Sequence, residues 1–296
     1  RDSLCPSMGN RILYYGIIIP VSLIPLPVLY LFSNCIRFVL LNILGYRKEV
    51  VTGNLQRSFP EKSEQEIKAI RAKFYKHFCD ILVESIKTIS ISQEEAERRM
   101  NFTNSELLDK YYEKGQNVLL VAGHYGNWEF YATASGSQMK HTQVAIYKKL
   151  ANPFFDDKIQ KSRGRFGTVL VSSKEVDHAF TGFSEPVAVG FLMDQAPVSS
   201  KRAWWMEFLN QDTAVLFGSE RFSQKYNVPV IYGRINRIKR GYYNTTLELV
   251  TEDPRSFEKG ELTEKITRML ERDIKAEPAY WLWTHKRWKR RRDDGT

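Results

Sequence analysis

The residues best suited to chemistry lie in Asn117 to Tyr131, NVLLVAGHYGNWEFY, where His124 precedes Glu129 by five positions. On a regular helix, residues five apart point about 140° away from each other. Contact between the two therefore requires His124 in the turn before a helix and Glu129 in its first turn or two. Gly123 and Gly126 permit such a bend, because glycine accepts backbone angles closed to other residues. A carboxylate holding one imidazole nitrogen leaves the other free as a general base. A helix N-terminus favours the neutral imidazole such a base requires. The same spacing also fits a capping histidine followed by a solvated first-turn acid.

Three other positions are candidates. Lys148 lies in the block Tyr147-Lys148-Lys149-Leu150-Ala151-Asn152-Pro153, just past an apolar run. Arg163 lies in Lys161-Ser162-Arg163-Gly164-Arg165. Cations there could hold an oxyanion or a phosphate, or form a solvated basic face. Asp194 directly follows the apolar run Val187–Leu192, either as a site carboxylate at a strand end or as a loop cap. His77, His141 and His178 carry no partner pattern and read as structural. The chain has no Walker loop, no Gly-x-Gly-x-x-Gly and no Cys-x-x-Cys, so nucleotide and metal sites lack support.

The elements that must position these residues alternate along the chain. Apolar, strand-like runs occur at Val118–Val121, Val144–Tyr147, Thr168–Val171, Val187–Leu192 and Val228–Ile235. Helix-like segments at Trp128–Ser135, Phe154–Lys161, Lys174–Phe180 and Ala214–Tyr226 separate them. That order predicts an α/β fold with βαβ units and a mostly parallel central sheet flanked by helices. Tyr243–Val250 reads as a further, antiparallel edge strand, and Leu262–Ala276 as a helix ended by Pro278. Ser63-Glu64-Gln65-Glu66 is a capping box. It opens a helix whose apolar stripe runs from Ile67 to Ile86.

The uncharged run Ile12–Ile36, 25 residues long, reaches across a bilayer as a helix and tolerates Pro20, Pro25 and Pro27 better there than in water. Residues 1–46 are expected to form a membrane anchor and residues 47–296 the catalytic domain. Arg47, Lys48 and Arg57 place that domain in the cytoplasm by the positive-inside rule. A net charge of +10 suits anionic partners. Three scattered cysteines fit a reducing compartment. Near the C-terminus, Trp281, Trp283, His285 and Trp288 interleave with Lys286, Arg287 and Lys289 to Arg292. This mixture suits a membrane interface better than nucleic acid.

The ordered blocks resemble the bacterial lipid A biosynthesis late acyltransferases, the lauroyl/myristoyl transferase family of the lysophospholipid acyltransferase-like superfamily. They are His124-Tyr125-Gly126-Asn127-Trp128-Glu129, Tyr147-Lys148 to Asn152-Pro153, Arg163-Gly164, Asp194-Gln195 and Trp281 to Lys289. The resemblance covers nearly the whole chain. It implies a glycerolipid acyltransferase-like fold at the cytoplasmic face of the inner membrane. The activity implied is transfer of a fatty acyl chain from acyl carrier protein to a hydroxyl of an anionic lipid acceptor, a lipid A precursor or, since members differ in acceptor, another glycolipid, aminolipid or lysophospholipid, with no cofactor, metal or nucleic acid. Carried over by residue, it makes His124 and Glu129 the catalytic pair. Arg163, Lys148, Asp194 and Asn152 become oxyanion- or substrate-binding groups. Many members carry Arg where this chain has Lys148, which replaces a bidentate fork by a point charge. The glycerol-phosphate acyltransferases share His-x-x-x-x-[Asp/Glu], but their phosphate block follows the histidine, whereas Phe59-Pro60-Glu61 precedes it. A membrane-docked protein without catalytic activity is the alternative of another class.

Overall fold

The strand runs with β-branched and apolar residues assemble as their alternation predicts. A computed structural model describes residues 7–200 and 203–292. Its strands are β1 (Met100–Phe102), β2 (Val118–Ala122), β3 (Thr142–Tyr147), β4 (Val169–Ser172), β5 (Val187–Leu192), β6 (Trp204–Phe208), β7 (Gln211–Val215), β8 (Val230–Lys239) and β9 (Tyr242–Thr251). Seven of them form one sheet in the order β1-β9-β8-β2-β5-β3-β4. Strands β8, β2, β5, β3 and β4 run parallel. β9 turns back antiparallel to β8, and β1 runs parallel to β9 outside it. The strand expected at Tyr243–Val250 therefore forms, but β1 and not β9 is the edge.

Both faces of β2 are apolar because both are covered, as in buried parallel sheets. Leu119 and Val121 join a core with Val144, Val189 and Phe222 on one face. Val118 and Leu120 join a second core with Phe130, Tyr131 and Ala188 on the other. The helix Trp128–Ala134 covers this second face, and fully buried Phe130 alone contributes roughly 1.5–3 kcal/mol. A separate two-stranded hairpin, β6–β7, occupies part of the stretch expected to be helical from Ala214. The helix there begins only at Gly218.

The capping box is realised. Ser63 Oγ accepts from the Glu66 amide and Glu66 Oε2 accepts from the Ser63 amide at 2.8 Å, opening the helix Glu64–Lys87. That helix carries the N-terminal segment. The segment is not the single run expected over Ile12–Ile36. It breaks at Ile24 and Pro25, both extended (ψ 136° and 140°), because the Pro25 ring disfavours helical backbone at the residue before it. The following helix, Leu26–Phe38, packs Leu26 and Leu29 against Val83, and Ser33 Oγ donates to Asp80 at 2.6 Å. Among the described residues one helical stretch, Leu26–Ile43, is long and apolar enough to cross a membrane.

Candidate active site

The register of two neighbouring strands brings the site together. β2 pairs with β5 in parallel, with Ala122 opposite Leu192. The Met193 amide still donates to the Ala122 carbonyl at 3.1 Å. Two residues past each strand end, His124 and Asp194 therefore face one another at the carboxyl edge of the sheet, where open α/β sheets bind ligands. His124 Nδ1–H donates to Asp194 Oδ1 at 2.7 Å, and the His124 backbone amide donates to Oδ2 at 2.8 Å. The Trp281 indole donates to the same Oδ2 at 2.7 Å. Asp194 is 6% exposed. Burial pushes its pKa up, but His124 beside it and the donors from His124 and Trp281 outweigh burial and hold it at about 2. It is thus an ionised acceptor that fixes Nδ1 as the protonated nitrogen. Nε2 is left with its lone pair outward, 3.2 Å from the Gln195 amide nitrogen.

Local geometry demands a glycine at Gly126 and leaves little room at Gly123. A Cβ at Gly123 would lie 2.7 Å from Leu270 Cδ1. Gly126 has φ +62°, and a Cβ there would lie 2.6 Å from Ile235 Cγ2. Asn127 then caps the site helix, its Oδ1 accepting from the Glu129 and Phe130 amides at 3.0 and 2.8 Å. Behind it, Asn127 Nδ2 donates to buried Glu84 at 2.6 Å, which orients the cap.

The expected partnership of Glu129 with His124 is corrected. Glu129 receives Arg163 instead: Nη2 donates to Oε1 at 2.7 Å and Nε donates to Oε2 at 3.0 Å. The place beside the imidazole belongs to Asp194, delivered by β5 from 70 residues further on. Arg163 Nη1 remains unengaged among the described residues. Lys148 is exposed at the rim. Asn152, expected to bind substrate, caps the helix Pro153–Arg163 through Phe154 N–H at 3.0 Å and does not line the cavity.

His124, Glu129, Lys148, Arg163 and Gln195 line a cavity of about 670 Å³. One arm runs over the face bearing Leu120, Ala122, Ala145, Gly190 and Leu192, beneath Trp128, Tyr131 and Ala132. Phe191, Met193, Val176 and Phe222 line its part on the opposite face. The walls are mostly apolar, with His124, Glu129, Arg163 and Gln195 at one end and Gln143 and Ser135 further along. Among the described residues no group of three or more His, Cys, Asp or Glu side chains could hold a metal.

The C-terminal aromatic block also departs from expectation. Trp281 and Trp283 are buried and do not lie at headgroup depth. The Leu282 amide donates to the His124 carbonyl at 3.2 Å, and the Gly126 amide donates to the Tyr280 carbonyl at 3.0 Å. Arg287 is buried with Nη1 donating to the Ala214 carbonyl at 2.6 Å. This block braces the His124–Gly126 turn from behind. Trp281 as a partner of Asp194 was missed, because a tryptophan among cations reads the same by composition whether buried or interfacial.

A buried carboxylate, an oriented imidazole and an apolar cavity thus meet at the carboxyl edge of a parallel sheet. The chain belongs to the bacterial lipid A biosynthesis acyltransferase family, whose model matches residues 1–290. It is accordingly an acyltransferase by family. Comparison with the curated proteins finds no match.

Proposed function

We propose that the protein moves a fatty acyl chain from an acyl carrier protein thioester to a hydroxyl of a lipid A precursor. The observation that carries this reading is the Asp194-held imidazole of His124 at the mouth of a mostly apolar cavity, in a chain of this family. The acceptor hydroxyl displaces the Gln195 amide from Nε2 and gives up its proton there as its oxygen attacks the thioester carbonyl. The oxyanion of the tetrahedral intermediate is met by Arg163 Nη1 or Lys148. Collapse expels the thiolate of the carrier arm, which takes the proton back from the imidazolium. Asp194 stays ionised throughout, and Glu129 holds Arg163 at the rim.

The donor reading is supported by charge: a chain of net charge +10 with Lys148 exposed at the rim and Lys149 exposed next to it in sequence attracts an acidic carrier. The apolar Leu26–Ile43 stretch, followed by Arg47 and Lys48, supports attachment to the inner membrane with the site on the cytoplasmic side. Mass spectrometry of membrane lipids with and without the gene tests the reading. The expected result is a lipid A precursor one acyl chain lighter when the gene is absent. An unchanged lipid profile overturns it.

A further inference from the structure

The stretch Leu26–Ile43 is long and apolar enough to cross a bilayer, yet the segment that contains it touches the α/β domain at both ends and between them. At its start the Tyr14 and Tyr15 rings pack against Phe154 at 5.7 and 6.4 Å, and Lys158 lies over both. At the break between its two helices, Lys87 Nζ donates to the Ser22 and Ile24 carbonyls at 2.9 and 3.2 Å. Tyr30 donates to buried Glu84 and Ser33 to buried Asp80, each at 2.6 Å. Arg240 Nη2 donates to the Tyr30 carbonyl at 3.2 Å and to Asn34 Oδ1 at 3.1 Å. Further on, Leu41 packs against the core that holds Leu119 and Val121. At the far end Tyr75 donates to the Tyr46 carbonyl, and Arg47 Nη1 donates to the Thr284 carbonyl at 2.8 Å. Successive contacts stand no more than about seven residues apart, about 10 Å of helix. A hydrocarbon core is about 30 Å thick, and charged groups inside it are costly. A single crossing would put Tyr14 and Arg47 on opposite sides of it, whereas both meet the same domain. A two-helix hairpin would carry Ser22 and Ile24 to the far side, whereas Lys87 holds them.

We infer that residues 8–44 do not cross the membrane but lie in a single leaflet, strapped to the domain on one side and immersed in lipid on the other. The inference rests on the proposed membrane attachment and adds its topology. Ile12, Ile17, Leu23, Leu31, Phe38 and Leu44 are each more than half exposed and are spread over the whole segment. So extended an apolar surface marks a contact with lipid or protein. Between Ser7 and Tyr46 the chain carries Arg11 and Arg37 and no acid, which matches an anionic lipid surface. The strap also places the cavity. Phe154, which meets Tyr14, opens the helix that ends at Arg163 on the cavity wall, about 14 Å further along. An acceptor lipid in the same leaflet therefore reaches the cavity by lateral diffusion, without leaving the membrane side on which the domain sits.

The test makes the full chain in bacterial cells with its three cysteines replaced by serine or alanine and one cysteine returned. That cysteine is Met8→Cys at the start of the segment or Lys259→Cys as a marker of the domain, both exposed positions. A membrane-impermeant maleimide is added to spheroplasts, which present the periplasmic side, and to inverted vesicles, which present the cytoplasmic side. Both cysteines are expected to label in inverted vesicles and not in spheroplasts. Labelling of the two in opposite preparations, or of Met8→Cys in neither, overturns the inference. Labelling of both in spheroplasts alone keeps the single-leaflet topology and overturns the cytoplasmic placement instead. If a cysteine variant does not fold, trypsin cleavage after exposed Arg11 in the unmodified chain, read by mass spectrometry in the two preparations, decides between the same outcomes. Leu31→Asp combined with Phe38→Asp, verified as folded, is expected to lose sedimentation with vesicles containing phosphatidylglycerol. Undiminished binding by that variant overturns lipid as the occupant of the outward side. Recovery of the wild-type chain in the soluble fraction removes the membrane attachment itself and leaves the acyl-transfer reading standing.

Discussion

Replacing Asp194 by Asn should silence the enzyme while leaving most of its fold. The wild-type carboxylate accepts three hydrogen bonds, from the His124 ring, the His124 amide and the Trp281 indole. An asparagine oxygen can accept from the His124 amide and Trp281, but its NH₂ then faces Nδ1. Two donors cannot meet, so the imidazole either flips its tautomer or turns away. The flip puts the lone pair on the wrong nitrogen, and the turn points it away from the acceptor. Losing one charge-assisted hydrogen bond costs about 1.5–3 kcal/mol. Losing a positioned general base lowers the rate about 10²- to 10⁴-fold. The kinetic effect should therefore exceed anything partial unfolding explains, provided the melting temperature falls by only a few degrees. The assay is the initial rate of acyl transfer from an acyl carrier protein thioester, run beside thermal denaturation. Glu129→Gln is the control, because Glu129 touches Arg163 and not His124. It should weaken the site by distorting Arg163, yet retain measurable base catalysis. Near-wild-type transfer by Asp194→Asn, with Glu129→Gln dead, would refute the assignment and restore Glu129 as the histidine's partner.

Trp281→Phe keeps a ring behind the site but removes the indole donor to Asp194, and should lower kcat roughly tenfold, the effect of about 1.4 kcal/mol, as steady-state kinetics can read. Gly126→Ala forces φ +62° on a residue with a Cβ crowded against Ile235, and should cost about 1–3 kcal/mol in denaturant unfolding. His77 is buried with its Nε2 at 3.1 Å from the Gly126 carbonyl, and burial, reinforced by Arg237, lowers its pKa to about 3. Below the ordinary histidine value of about 6.5 the unfolded chain takes up a proton that the folded one refuses. This group's contribution to stability thus falls by about 1.4 kcal/mol per unit as pH drops from 6.5 towards 3. His77→Gln should flatten that slope in unfolding curves recorded between pH 7 and 5. Buried Glu84 acts in the opposite sense: burial raises its pKa to about 7, so its contribution is lost as pH rises from about 4.5 through 7. The comparison is therefore between variant and wild type at each pH.

Much of the fold was legible because burial on both faces leaves uninterrupted apolar runs, and Val187–Leu192 forms a strand with the expected bounds. His124 and Asp194 were legible as strand-end residues, but their pairing was not. It depends on β5 inserting between β2 and β3, a register that spacing within one segment cannot carry. The five-residue spacing pointed to Glu129, yet Arg163 from another helix claims that carboxylate. The β6–β7 hairpin escaped because its turn uses Leu209 and Asn210 at φ +50° and +60° without any glycine to announce it. Asn152 shows the ambiguity of Asn-Pro, which opens a helix as readily as it lines a site.

The proposed transfer turns on His124 as the base that activates the acceptor hydroxyl. The direct measurement is single-turnover acyl transfer from an acyl carrier protein thioester to a lipid A precursor by wild type and His124→Ala, both verified as folded. Transfer in the wild type with a loss of about 10²-fold or more in the variant is the predicted result. Equal rates from the two proteins would contradict it.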